Sequence, residues 1–257
     1  MTTTTASLDF LKLLAHDVRW VLVTALAESD RRVQELVTLL ARPQNLISYH
    51  LRLLREAQLV KERRSSADGR DVYYSLDLAH FRSLFQESGL ALHPALACVE
   101  PVEPDLVGER PFRILFLCTH NSARSQLAEG ILRATAGDWV SVFSAGSQPG
   151  SVHPLAVRAA HELGYDISQQ QSKHMDEFAG RPFDYVITVC DQVREVCPVF
   201  PDGPEQIHWS FPDPAAVVGT EAERLAAFGQ TAHELATRLH FLRQTMAHRL
   251  QNNKESE

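Results

Sequence analysis

Hydrophobic positions along this chain change period twice. Up to about residue 90 they recur mostly at helical spacing. Leu8 to Leu14 forms a short amphipathic helix, and His16 to Ala27 a second, with Val18, Val21, Leu22, Ala25 and Leu26 on its inner face. Glu28-Ser29-Asp30 breaks the pattern. Val33 to Leu40 is a third helix, with Val33, Leu36, Val37 and Leu40 inward. The Arg42-Pro43 turn starts a fourth, running to about Ala57 over an inner face of Leu46, Ile47, Leu51 and Leu54. Two short helices joined by a tight turn make a helix-turn-helix. Alternation then takes over: Leu59 to Arg63 and Val72 to Leu76 flank Ser65-Ser66-Ala67-Asp68-Gly69, whose Asp-Gly pair signals a hairpin. This reads as a basic β-wing, followed by a last helix from Leu78 to about Leu90.

Periodicity then stops. His93 to Pro111 holds Pro94, Pro101, Pro104 and Pro111 with four acidic residues, the composition of a semi-extended linker. From Phe112 short apolar runs alternate with helical stretches. Strands are expected at 112–117, 140–144, 184–189 and 206–209, and helices near 123–136, 154–163, 173–179 and 220–250. That order implies a four-stranded parallel sheet covered on both faces. The expected architecture is a mainly helical winged helix-turn-helix domain (1–92), a linker (93–111) and an α/β domain (112–257).

Composition adjusts this picture in three places. A length of 257 residues suits two domains. No apolar run approaches the ~18 residues of a membrane span, and Met1 to Thr5 lacks the basic and apolar regions of a secretion signal, so a cytoplasmic protein is expected. The net charge of −7 is unevenly spread: residues 1–95 hold 12 basic and 11 acidic side chains, residues 96–257 hold 13 and 21. Within 42–70 there are 7 basic and 3 acidic residues. A basic patch on a near-neutral domain is compatible with DNA.

The four cysteines, Cys98, Cys118, Cys190 and Cys197, are too few for a disulfide scaffold and read as catalytic or redox thiols. Cys118 opens the stretch Cys118-Thr119-His120-Asn121-Ser122-Ala123-Arg124-Ser125, set between an expected strand and an expected helix. A cysteine and an arginine separated by five residues in a strand–turn–helix setting form a pocket for a tetrahedral oxyanion. Backbone N–H groups and the helix N-terminus face the anion, and Arg124 can clamp two of its oxygens. The same positive field favours the thiolate of Cys118.

Two resemblances follow from these residues. Gln44-Asn45-Leu46-Ile47-Ser48-Tyr49-His50-Leu51-Arg52-Leu53-Leu54-Arg55-Glu56-Ala57, with Leu59-Val60 and Gly69-Arg70-Asp71-Val72-Tyr73-Tyr74, resembles the ArsR family of winged-helix repressors over about residues 7–92. The resemblance implies a homodimer joined through the first and last helices. Gln44, Ser48, Tyr49 and His50 would face base edges or backbone, and Arg52, Arg63, Arg64 and Arg70 would face phosphates. Many members bind arsenite or metals through a cysteine pair in the helix before the recognition helix. Val37 and Leu39 stand at those positions here and cannot coordinate. Asp77, His80 and His93 lie near the last helix, where relatives bind zinc, but with a different spacing, so they read as surface residues.

The second stretch resembles the low-molecular-weight tyrosine phosphatase fold, through Cys118 and Arg124, through Asn121, Ser122, Ser125, Gln126, Ala128 and Glu129, and through Ser144-Ala145-Gly146 and Asp213-Pro214. The resemblance implies that Ser125 donates to the thiolate, Asn121 holds the loop in an unusual backbone conformation, and Asp213 protonates a leaving oxygen. Val189-Cys190-Asp191-Gln192-Val193-Arg194-Glu195-Val196-Cys197-Pro198 adds two thiols just after a strand, and His208-Trp209-Ser210-Phe211-Pro212-Asp213-Pro214-Ala215 completes a similarity to thioredoxin-coupled arsenate reductases over about 112–245. That similarity implies a Cys118–Cys190–Cys197 thiol–disulfide relay with arsenate as substrate and thioredoxin as electron donor. Relatives often carry glycine where His120 stands and a further cysteine where Ala123 stands; neither change removes a relay thiol. Some relatives bind potassium beside the loop, through positions matched by Asn121, Glu129, Ser144 and Asp166. No other metal and no tightly bound cofactor is expected. His174, His208 and His233 read as surface or capping residues. Two alternatives stay open: a phosphatase, since phosphate and arsenate share charge and shape, and an anion-sensing regulator without turnover.

Overall fold

The computed structural model describes residues 2–93, 96, 111–198 and 200–254. It divides into two compact units, Met1–Val102 and Glu103–Glu257. Most of the expected linker, Cys98 included, lies outside the described residues. No helix among the described residues is long and apolar enough to cross a membrane.

The first unit runs α1 (Thr2–Leu14), α2 (Asp17–Glu28), β1 (Arg31–Arg32), α3 (Val33–Leu40), α4 (Gln44–Glu56), β2 (Val60–Arg64), β3 (Val72–Leu76) and α5 (Leu78–Leu92). The turn between α3 and α4 forms because Ala41 takes a left-handed φ of 50° and Pro43 N-caps the next helix, its φ of −58° already set for the entry. Leu22, Leu26, Leu36, Ile47, Leu51, Leu54, Leu59 and Leu76 close the core. Asp77 caps α5 by accepting from the His80 N–H at 3.1 Å and pairs with Lys61 at 2.7 Å. The three strands are antiparallel in the order β1-β3-β2. β1, Arg31 and Arg32 against Tyr74 and Tyr73, was not expected, because two arginines carry no apolar alternation.

Two inner-face assignments change. Val21 is 46% exposed, and Val23 is buried in its place. The reason is that α2 packs against both α4 and β3, which rotates its buried stripe toward Leu22, Val23, Ala25 and Leu26.

The second unit holds β4 (Phe112–Cys118), α6 (Arg124–Ala136), β5 (Val140–Gly146), α7 (Pro154–Glu162), β6 (Tyr185–Thr188), α8 (Asp191–Glu195), β7 (Glu205–His208) and α9 (Glu221–Lys254). The expected helix at 173–179 is a single 3-10 turn, Met175–Phe178, started by a His174 side chain that accepts from the Asp176 N–H. The sheet is fully parallel, in the order β5-β4-β6-β7. Ile114, Leu115, Phe116 and Leu117 are all buried, as a central strand covered on both faces requires. α6 packs on β4 and β5, α8 on β4 and β6, and α9 on α6 and α7. Ligands of such sheets bind beyond the carboxyl ends of the strands. Cys118, Gly146, Thr188 and His208 end β4, β5, β6 and β7.

Candidate active site

Where the chain leaves β4, its carbonyls turn outward. The Thr119 carbonyl accepts from the Gln148 N–H (2.8 Å), that of His120 from Gly150 (3.0 Å) and that of Ser122 from His153 (2.8 Å). The Asn121 carbonyl accepts from Ser172 Oγ and from Gln126 Nε2. With the carbonyls spent on neighbouring loops, the loop N–H groups and the first N–H groups of α6 are left for an anion. One of them, from Asn121, points at Cys118 Sγ from 3.2 Å.

This geometry forces Asn121 into a left-handed φ of 46°. Its fully buried side chain holds it there. Nδ2 donates to Ser125 Oγ (2.9 Å) and Ser144 Oγ (2.8 Å), and Oδ1 accepts from the Lys173 N–H (2.8 Å) and Gln126 Nε2 (3.0 Å). Because Ser125 Oγ accepts from Asn121, its own hydrogen is left for Cys118 Sγ, 2.9 Å away. Gly146 is needed beside the loop: a Cβ there would lie 2.6 Å from the Thr119 carbonyl oxygen and 2.8 Å from the Asn121 nitrogen.

Arg124 is buried at the start of α6. It donates to the Phe211 carbonyl at 3.0 Å and lies 3.5 Å from Asp213 Oδ2. The half-exposed Asp213 also accepts from the Ala215 N–H, so it is both a turn residue and an acid within reach of the loop's arginine.

Cys190, 1% exposed, lies with Sγ 3.4 Å from Thr119 Oγ1, which in turn donates to Gln192 Oε1 at 3.1 Å. Burial pushes the Cys190 thiol up; Arg124 pulls it down, Cys118 adds to the rise, and the Thr119 hydroxyl lowers it. Cys197 is half-buried beyond α8, and burial raises its thiol as well. Thr119's contact with Cys190 has no signal in the sequence, because the two are 71 residues apart.

The residues matched to a potassium site are arranged otherwise. Ser144 Oγ donates to Glu129, whose carboxylate is met by Arg133 and, at 3.6 Å, by Lys173 Nζ. Asp166 is exposed and turned onto the Ser168 N–H. This donor set does not fit a potassium ion: the anionic oxygens are paired with the chain's own cations, and the fourth ligand faces solvent. No group of three or more His, Cys, Asp or Glu side chains suited to a metal occurs among the described residues.

His208 corrects a second expectation. It is 3% exposed rather than a surface or capping residue, because its ring bridges β6 and α8, with Nδ1 2.8 Å from Thr188 Oγ1 and Nε2 3.2 Å from Asp191 Oδ1. His233 is exposed.

In the first unit Gln44, Ser48, Tyr49 and Arg52 lie on the exposed side of α4, while Arg64 and Arg70 are exposed on the wing and Arg63 is half-buried. His50 is not on that side. It is 3% exposed, because the period of α4 turns it inward, where its ring packs on His16 with centroids 4.4 Å apart. Burial, then His16 and Arg19, hold its imidazole below the ordinary histidine range. A concave surface between α3, α4 and the wing adds Arg31, Gln34 and Thr38, which sequence patterning missed.

Residues 17–62 match the family model described as bacterial regulatory protein, arsR family. Residues 113–253, more than half of the chain, match the model described as low molecular weight phosphotyrosine protein phosphatase. The arsenate reductase of Halalkalibacterium halodurans is 43% identical over 126 residues, covering 49% of this chain and 91% of that protein. The arsenate reductase of Bacillus subtilis is 42% identical over the same shares. Among solved structures, the thioredoxin-dependent arsenate reductase of Corynebacterium glutamicum is 33% identical over 59% of this chain and 72% of its own, with a TM-score of 0.38. With an outward-turned Cys118–Arg124 loop at the end of a parallel strand and a family model that spans most of the second unit, the chain belongs to the low molecular weight phosphotyrosine protein phosphatase family.

Proposed function

We propose that this chain reduces arsenate to arsenite through Cys118, Cys190 and Cys197, and that its first unit is a DNA-binding transcriptional regulator. The observation that carries the enzymatic reading is Cys190 at the rim of the anion loop, 3.4 Å from Thr119. Ester hydrolysis needs no second thiol there, whereas a two-electron reduction does. The arsenate reductases at 42–43% identity support the same reading.

In this mechanism the loop N–H groups and Arg124 hold the oxyanion. The Cys118 thiolate, accepting from Ser125 and Asn121, bonds to arsenic, and an oxygen protonated by Asp213 leaves as water. Cys190 then attacks Cys118 Sγ. The sulfur–arsenic electron pair passes to arsenic, arsenite leaves, and Cys118–Cys190 is oxidised to a disulfide. Cys197 attacks Cys190 and frees Cys118. Cys190 is the extended N-cap of α8 and Cys197 lies two residues past its last residue, so the five-residue helix between them opens as the two sulfurs meet in this step. The Cys190–Cys197 disulfide is then reduced by thioredoxin through thiol–disulfide exchange. A relay that runs on reduced thiols belongs in the cytoplasm.

For the regulator, the exposed face of α4 and the wing arginines support operator binding. The apolar side chains exposed on the packed pair α1 and α5, among them Leu8, Leu11, Phe85 and Leu90, support a homodimer.

The test is arsenate-dependent oxidation of thioredoxin, run beside hydrolysis of an aryl phosphate. Thioredoxin oxidation is expected only with arsenate. Because burial raises the Cys190 thiol, the rate of the relay step is expected to climb with pH, by up to about tenfold per unit while that thiol remains mostly protonated. Aryl phosphate hydrolysis with thioredoxin left reduced would instead identify a phosphatase.

A further inference from the structure

The relay needs one end of the segment Cys190–Cys197 to stay while the other moves, and a buried cluster bears on which. Asp191 follows Cys190, opens α8 and is 0% exposed. Its Oδ1 accepts from Ser210 Oγ at 2.7 Å and lies 3.2 Å from His208 Nε2. His208 Nδ1 is 2.8 Å from Thr188 Oγ1. With a proton on Nε2 the ring donates to Asp191, while Nδ1 faces the Thr188 hydroxyl. A carboxylate at this depth is tolerated because these donors replace the water it has lost.

The cluster joins three pieces of the site. Thr188 and His208 are paired residues at the ends of β6 and β7. The loop that carries Ser210 continues to Phe211, whose carbonyl holds Arg124. Asp191 ties the residue after Cys190 to both. The far end of the segment is looser: Val196 is 54% exposed and Cys197 half-buried.

We propose that Asp191 is the positioning residue of the relay: clamped by Ser210 and His208, it keeps Cys190 beside Thr119 and Cys118 while α8 opens and Cys197 travels. The proposal rests on the arsenate-reductase reading. Two steps depend on it. Cys190 must reach Cys118 Sγ as the sulfur–arsenic bond breaks toward arsenic. The new disulfide must then stay in place while the Cys197 thiolate attacks Cys190 and Cys118 departs as a thiolate.

The test uses the full chain carrying Cys197→Ser, which halts at the Cys118–Cys190 disulfide. That disulfide is formed in two ways, by arsenate and by diamide, a thiol oxidant that takes the same two electrons and needs no oxyanion. Asp191→Ala is expected to slow both on the order of tenfold to a hundredfold, the effect of a misplaced reacting atom. Asp191→Asn, which keeps an oxygen for Ser210 and His208, is expected to restore most of the rate. Hydrolysis of p-nitrophenyl phosphate, which uses Cys118 but not Cys190, should fall by much less than disulfide formation does. Ser210→Ala removes one hydrogen bond from the same carboxylate and should give a smaller slowing; it decides the matter if Asp191→Ala does not fold. Undiminished diamide rates in the folded variants, or equal losses of p-nitrophenyl phosphate hydrolysis, would overturn the proposal. If arsenate forms no disulfide in the Cys197→Ser parent while diamide does, the arsenate-reductase reading fails, and the diamide series still decides the role of Asp191.

Discussion

Cys197→Ser is expected to release one arsenite per chain and then stop. Cys190→Ser should release none and retain arsenic on Cys118, and Cys118→Ser should do nothing at all. Steady-state thioredoxin oxidation should fall by at least about 10⁴-fold in each, because residues that act as one unit fail together. The stoichiometry follows from electron counting. Reduction of arsenate takes two electrons, and the pair Cys118 and Cys190 supplies both, so the first turnover is complete without Cys197. Cys197 only moves the disulfide to where an external dithiol reaches it, and its loss strands the chain oxidised. Mass spectrometry of Cys197→Ser after arsenate should find Cys118 linked to Cys190. Aryl phosphate hydrolysis separates this pattern from a general loss of the site: it should vanish in Cys118→Ser and survive in the other two, since neither Cys190 nor Cys197 takes part in the loop's own Cys118–Ser125 and Cys118–Asn121 hydrogen bonds. Sustained arsenate turnover by Cys190→Ser would dismiss the relay.

The parts of this site that are local in sequence were legible there. A thiol and a guanidinium six positions apart between an apolar strand and a helix have few structural uses, and in the proposed relay two-electron chemistry accounts for the further thiols at Cys190 and Cys197. The parts built by long-range contact were not legible. Cys190 meets Thr119 across 71 residues, and Lys173 comes to Glu129 from a different loop, where no spacing rule points. α8 has five residues, too few to carry a period. Helical phase also misled where a helix touches two neighbours. The spacing of Val18, Val21, Leu22, Ala25 and Leu26 is a sound stripe, yet packing against both α4 and β3 turned Val21 out and Val23 in. His208 is a polar residue whose burial depends on a partner from another element, Asp191, whereas His50 lies on the buried stripe of α4 with Ile47, Leu51 and Leu54.

The proposed regulator unit yields the other large effect. Replacing Arg52, Arg63, Arg64 and Arg70 together by alanine is expected to weaken operator binding on the order of 10³-fold near physiological salt, and to flatten the slope of log K against log salt by about 0.9 for each phosphate that is no longer neutralised. The four should not contribute equally. Arg70 already shares its charge with Asp68 at 2.8 Å and holds that carboxyl down to about 2, and Arg52 lies 3.9 Å from Glu56. Those two must be drawn off a carboxylate to meet a phosphate. Arg64 donates to the Gly69 carbonyl, a neutral group, and brings its full charge to the duplex. Arg64→Ala should therefore cost more affinity than Arg70→Ala, and Asp68→Asn should tighten binding and steepen the slope by releasing Arg70. Gln44→Ala and Ser48→Ala should behave differently: base-edge hydrogen bonds are worth about 1–3 kcal/mol of discrimination each, with little effect on the salt slope. Fluorescence anisotropy titrations over a range of salt concentrations measure both quantities at once. A fourfold arginine variant with an unchanged slope would mean that neither the wing nor Arg52 meets the phosphate backbone.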